Sequence, residues 1–241
     1  MTNSYISIDL ETTGLNPKLD KVIEIGAVKV LDGKVRDTFS TFVSPGRKLT
    51  QRVVELTGIR DEMLLDAPTM DEVLPGLMEF LEELPLLGHR ILFDYSFLKK
   101  AAVDRKLSFE KSGIDTLRIA RCYLPQVEHR TLEYLCQYYR IEHTAHRALK
   151  DAMATHELYQ ILAGDYCDGT NDLFCPRKLI FQVKRDTPIT KSQQERLYRL
   201  LAQHKIVIDV NVESMTRSEA DRIIDRILAG AKVEELNLHK C

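Results

Sequence analysis

Cysteine is scarce in this sequence. The five, Cys122, Cys136, Cys167, Cys175 and Cys241, are odd in number and contain no C-x-x-C pair. That pattern argues against a disulfide framework and for reduced thiols in a cytoplasmic protein. The spacing of Cys167 and Cys175 is also wrong for a zinc knuckle. No apolar run approaches the length of a membrane span, so no membrane partner is expected. The opening MTNSYISIDLETTG lacks a basic region followed by an apolar one, and no signal peptide is expected from it. No Gly-x-x-x-x-Gly-Lys phosphate loop occurs, which removes nucleotide-driven motors. Internal repeats and low-complexity tracts are absent too. Neither sign of charge dominates: 34 Lys+Arg stand against 36 Asp+Glu. Such a balance excludes an obligate polycation.

The 241 residues, 44% of them hydrophobic, suffice for one full domain and a small second one. The alternating, β-rich run Tyr5–Leu10 reads as a strand, ended by the turn Thr12-Thr13-Gly14. Val22–Leu31 and Val35–Val43 read as two more strands, with the hairpin signal Asp32-Gly33 between them. Thr69-Met70-Asp71-Glu72 is a capping box, and Val73, Leu74, Leu77, Met78 and Leu81 follow at helical spacing. Pro85-Leu86-Leu87-Gly88 predicts a short buried strand that leads into a helix near Asp94–Val103. Ile114-Asp115 precedes another helix, and Leu132–Tyr139 and Ala148–Leu162 are expected to be helical. Together these predict an α/β fold with a mixed sheet flanked by helices.

A boundary is expected near Gly164–Asn171, which is rich in Gly, Asp and Asn. The predicted division is a first domain over 1–165, a linker over 166–189 and a small α-rich module over 190–241. In that module Thr190 and Thr216 open capping boxes. Leu197, Leu200 and Leu201 mark one helix; Ile223, Ile224, Ile227 and Leu228 mark the next, with Gly230 as its stop. Ile206–Val210 reads as a strand between them.

Chemistry enters with Asp9 and Glu11. Residues two apart on a strand point the same way, so two carboxylates project together from the apolar run Ile6, Ile8, Leu10. Like charges so close repel unless a cation sits between them. An exposed strand edge would explain this pair equally well. Asp94 lies among large apolar neighbours just past a strand end, where an acid is a helix cap or a site residue. Alanines and a leucine flank Asp151 on a close-packed helix, and His146 precedes it near the helix start. Taken singly, each has a plain structural reading. All five together, in order and each on a suitable element, favour a site.

At this point the sequence resembles a known family. Asp9-x-Glu11-Thr12-Thr13-Gly14, His89-x-x-x-Phe93-Asp94 and His146-x-x-x-x-Asp151 look like the three motifs of the DEDDh 3′→5′ exonucleases. The likeness extends to the proofreading epsilon subunits of bacterial DNA polymerase III. Glu24-Ile25-Gly26-Ala27, Thr57-Gly58-Ile59, Asp115-Thr116-Leu117 and Ala145-His146-Arg147-Ala148-Leu149 add to it, over about residues 3–163. Arg90 and Lys150 depart from the usual pattern without removing a ligand.

The resemblance implies a ribonuclease-H-like fold and a two-metal site. Asp9, Glu11, Asp94 and Asp151 would supply hard oxygen ligands for two Mg²⁺ or Mn²⁺ ions, roughly 3.5–4 Å apart. His146 would be the general base. Thr12, Thr13, Gly14 and Leu15 would grip the terminal nucleotide, with Leu15 as an apolar wedge, and His89 would join the substrate-binding residues. The implied substrates are 3′ ends of single-stranded DNA or RNA, releasing nucleoside 5′-monophosphates. Exoribonuclease action on short RNA is the alternative, and an inactive nucleic-acid- or polymerase-binding module the least favoured. Proofreading would need a DNA polymerase in trans.

Charge is distributed to match. Residues 175–241 hold 13 Lys+Arg against 9 Asp+Glu, leaving the first domain acidic. An acidic domain that handles phosphate needs bound cations. Residues 177–205 carry eight cations (Arg177, Lys178, Lys184, Arg185, Lys191, Arg196, Arg199 and Lys205) and two acids. That stretch reads either as an accessory strand-binding surface or as an ordinary solvated face.

Overall fold

The alternation in the first strand organises the molecule. In the computed structural model, which describes residues 2–143, 146–169, 172–208 and 211–229, β1 runs Tyr5–Thr12. Ile6, Ile8 and Leu10 turn to one side and pack in a core with Val73, Leu74, Leu77, Tyr95 and Leu98. Tyr5 turns to the other side and packs with Leu135, Leu158, Tyr159 and Leu162. Ser7 shares that second face, and its hydroxyl donates to the Ala152 carbonyl at 2.6 Å. The two-residue period therefore sends Asp9 and Glu11 toward the second face as well.

Six strands form one sheet in the order β3-β2-β1-β4-β5-β6. β2 (Val22–Leu31) and β3 (Lys34–Phe42) are antiparallel neighbours, and β1 pairs antiparallel with β2. β4 (Leu86–Gly88) runs parallel to β1, and β5 (Ser112–Asp115) runs parallel to β4. The first core lies under α2 (Met70–Leu81) and α3 (Leu92–Asp104). The second lies under α4 (Thr116–Tyr123), α5 (Leu132–Tyr139) and α6 (Ala148–Tyr166). This is the mixed α/β sheet flanked by helices that the sequence predicts.

Three features differ from the sequence reading. α1 (Gln51–Thr57) is a helix that the pattern did not predict; Thr50 caps its start and Gly58, left-handed at φ 68°, its end. Within the expected linker, Arg177–Lys178 form β6 and pair antiparallel with β5. Phe174 is fully buried there and Leu179 is 8% exposed. That segment therefore completes the sheet and its cores. Ile206–Ile208 form no strand; Ile206 and Ile208 instead pack against the apolar cluster of the last two helices. Positions 209 and 210, and the expected stop at Gly230, lie outside the described residues.

Those last helices are α7 (Lys191–Gln203) and α8 (Arg217–Leu228), each opened by the capping box seen in the sequence. Their apolar faces make a separate cluster that includes Ile189, Leu197, Met215, Ile223 and Ile227. No described helix is long and apolar enough to cross a membrane.

Candidate active site

The carboxylates meet where β1 ends. Gly26, opposite Asp9 on β2, explains how α6 gets close enough. A Cβ on Gly26 would lie 2.0 Å from the Leu149 nitrogen, so only glycine lets the first turn of α6 rest on the sheet. Asp151, in that first turn, then faces Asp9 and Glu11. One carboxylate oxygen from each of the three lies within 4.8 Å of the others. Asp94 comes from the opposite side, in the first turn of α3. It is 4% exposed, and its Oδ1 accepts the Leu10 N–H at 3.1 Å. The site thus sits at the carboxyl end of a parallel strand, where α/β sheets hold their ligands.

Burial and crowding oppose ionisation here. Asp9 is raised well above the ordinary carboxylate range, first by burial and then by Asp94, Asp151, Glu11 and Glu24. Glu11 is pushed up to about 8 by burial, Asp151 and Glu24, with the Arg147 guanidinium opposing. Asp94 is also pushed up to about 8, mainly by burial, although N–H groups donated to it pull the other way. A cation among these groups would relieve the repulsion that protons otherwise relieve. Their oxygens are hard donors and fit Mg²⁺ or Mn²⁺.

Two side chains that sequence reasoning left without a role belong to this cluster. Glu24 pairs across the sheet with Glu11 and accepts the Ala148 N–H at 3.4 Å. Burial raises its pKa as well. Its place opposite Glu11 follows from strand register, which one sequence does not display. His143 places Nε2 in a hydrogen bond with Asp151 Oδ1. It lies three residues before His146, and nothing in the spacing marks it.

His146 is exposed, and its backbone is left-handed at φ 64°. Its N–H donates to Asp151 Oδ2 at 3.1 Å. The five-residue spacing of the motif therefore has a local reason, because the chain at His146 caps the carboxylate of the helix it introduces. Arg147 anchors this corner by donating to the Thr57 carbonyl at 3.1 Å.

The turn after β1 is built around Asp20. Its carboxylate accepts the Asn16 N–H at 3.0 Å and the Thr13 hydroxyl at 3.3 Å. Arg47 donates both to Asp20, at 3.2 Å, and to Thr13 Oγ1, at 2.7 Å. A Cβ on Gly14 would meet this carboxylate at 2.5 Å, which accounts for the glycine. Thr12 donates its hydroxyl to the Gly14 carbonyl at 2.7 Å. Leu15 projects from the turn with 79% of its surface exposed.

His89 is held by bonds at both ring nitrogens. Its Nε2 lies 2.7 Å from the Arg130 carbonyl and must carry the proton, while Nδ1 lies 2.9 Å from Thr116 Oγ1. Burial lowers its pKa and keeps the ring neutral. With both nitrogens engaged inside the fold, His89 ties the end of β4 to α4 and to the segment before α5.

The DNA polymerase III PolC-type of Clostridium perfringens is 40% identical over 157 residues, covering 65% of this chain and 11% of the relative. That of Halalkalibacterium halodurans is 31% identical over 243 residues, covering 96% of this chain and 17% of the relative. The chain therefore spans only a small part of these polymerases. Among solved structures, exonuclease X in complex with 5′ overhanging duplex DNA superposes with a TM-score of 0.56 at 24% identity, covering 68% of this chain and 93% of that one. Escherichia coli exonuclease I in complex with a dT13 oligonucleotide gives 0.60 at 20% identity, covering 67% and 41%. At these identities the two share the fold. Residues 6–159 match the family RNase_T, described as exonuclease, and the chain belongs to that exonuclease family.

Proposed function

We propose that this exonuclease works from the 3′ end of single-stranded DNA, hydrolysing the terminal phosphodiester and releasing nucleoside 5′-monophosphates. The observation that carries the reading is the convergence of Asp9, Glu11 and Asp151, with Asp94 beside them, at the end of β1. These four would hold two Mg²⁺ or Mn²⁺ ions, which supply Lewis acidity to the scissile phosphate and its attacking and leaving oxygens. His143, bonded to Asp151 Oδ1, would orient that ligand from behind. His146, held at the rim by its N–H bond to Asp151, takes the proton of the attacking water on its imidazole. Thr12, Thr13 and Gly14 would grip the terminal nucleotide, and the exposed Leu15 would wedge against its base. His89, in the lining of a cleft with Arg90 and Arg130, would join the substrate-binding residues.

Single-stranded DNA is preferred over RNA because a dT13 oligonucleotide is bound in one structural neighbour and an overhanging DNA in another. The PolC-type relatives favour work beside a DNA polymerase. Initial rates on matched single-stranded DNA, mismatched duplex ends and short RNA test the assignment. DNA turned over at least as fast as RNA supports it; preference for RNA would replace it with an exoribonuclease.

A further inference from the structure

The C-terminal unit does not stand clear of the catalytic turn. Ser218, Arg222 and Arg226 recur every four residues and make one stripe of α8. That stripe lines a cleft whose other wall is Asn16, Lys18 and Leu19, from the turn that carries Leu15. Asp186 fastens the arrangement. It accepts from Lys100 Nζ at 2.9 Å and from the Ser218 hydroxyl at 2.6 Å, and its own N–H donates to Asp104 at 2.9 Å. α8 is thus held against the turn through the linker and α3.

Arg222 is the unusual member. Its Nε is buried and has no hydrogen-bond partner among the described residues. Arg47 and Arg226 crowd it with like charge, while Asp20 and Glu219 are the acids nearby. Both acids are already engaged. Asp20 takes Arg47, Asn16 and Thr13, and Glu219 closes the capping box with Thr216. Asp221 and Asp225, on the next stripe of the helix, also line the cleft, and Asp221 accepts Gln193 Nε2 at 2.6 Å. An adjoining cleft shares Lys18 and Ser218 and adds Lys184 and Arg185. Lys18, Arg222 and Arg226 outnumber Asp221 and Asp225 along the first cleft, and guanidinium groups so placed match an anion with several oxygens.

We propose that Arg222, with Arg47 and Lys18 around it, holds a backbone phosphate of the single strand, upstream of the nucleotide gripped at the turn after β1. This rests on the 3′→5′ nuclease reading, since it takes the terminal nucleotide to lie at Thr12–Leu15. The C-terminal unit then forms one wall of the strand's path, with Lys184 and Arg185 continuing the track outward.

The test is fluorescence anisotropy of the full-length chain with a 5′-labelled single-stranded DNA, in chelator so that no turnover occurs, across a salt series. Arg222→Gln removes the charge and leaves a shorter polar side chain; Arg222→Lys keeps the charge. The Gln variant should raise Kd by about fivefold or more and lower the slope of log affinity against log salt by roughly 0.7, as for one lost contact to a single strand. The Lys variant should keep the wild-type slope. A wild-type Kd and slope in Arg222→Gln, or equal losses in both variants, would overturn the proposal in favour of packing alone. Wild-type turnover of the same strand with Mn²⁺ is scored separately. Its absence would sink the nuclease reading whatever the anisotropy shows.

Discussion

The carboxyls at the end of β1 are held where their charged forms are disfavoured, and that has a consequence for pH. In the unfolded chain these groups titrate near 4. Asp9, Glu11 and Asp94 are all raised in the fold, the latter two to about 8. Between the two values the folded state binds more protons than the unfolded one, so metal-free stability falls as pH rises. Calorimetry in chelator should therefore give a higher Tm at pH 5 than at pH 8, and Mn²⁺ should restore more at pH 8. A metal-free Tm that rises across that window would contradict the cluster's electrostatics. Asp9→Asn removes the most crowded charge, so at pH 8 the metal-free variant should melt about 3 °C or more above wild type while losing turnover. His146→Ala should bind Mn²⁺ nearly as wild type but turn over roughly 10²–10⁴-fold more slowly. If metal affinity and melting temperature fall together instead, the residue serves only to seat α6. The four acids could be read only together, in the order and spacing of three motifs that resemble a known family, since singly each has a plain structural reading. Glu24 and His143 were not, because their closeness to Glu11 and Asp151 comes from strand register and chain path.

Among elements, the contact of α6 with β2 sets the site. Gly26→Ala puts a methyl group within 2.1 Å of the Ala148 carbonyl carbon and 2.0 Å of the Leu149 nitrogen. Backbone has to move, so the expected loss is about 3 kcal/mol or more, with activity lost as Asp151 swings away. Near-wild-type melting and turnover would mean that α6 sits less tightly than this contact implies. The strands and capped helices with clear periodicity were readable in advance, as Thr69, Thr190 and Thr216 illustrate. β6 was not, since two charged residues carry no alternation and gain strand geometry only from β5. Ile206–Ile208 erred the other way. Its β-branched residues suggest a strand, but Ile206 and Ile208 pack against the α7–α8 cluster instead.

For the molecule as a whole, the useful question is where it can be cut. Ending the chain at Ala163 would remove Phe174, Leu179 and β6 from the cores they complete. Ending it after Thr187 keeps them, together with the Asp186 bonds to Lys100 and Asp104. We therefore expect the longer fragment to fold and retain hydrolysis, and the shorter one to melt lower; the reverse order would show that the sheet closes without β6. The central claim, a cation-dependent exonuclease acting from the 3′ end through the cluster on β1, is tested most directly by one time course. A 5′-labelled single-stranded DNA is incubated with the full chain and Mn²⁺, and its products are resolved by length. The account predicts a ladder that shortens one nucleotide at a time with the label retained, and no products in chelator. Early release of the label as a mononucleotide, internal cuts, or an undiminished ladder in chelator would contradict it.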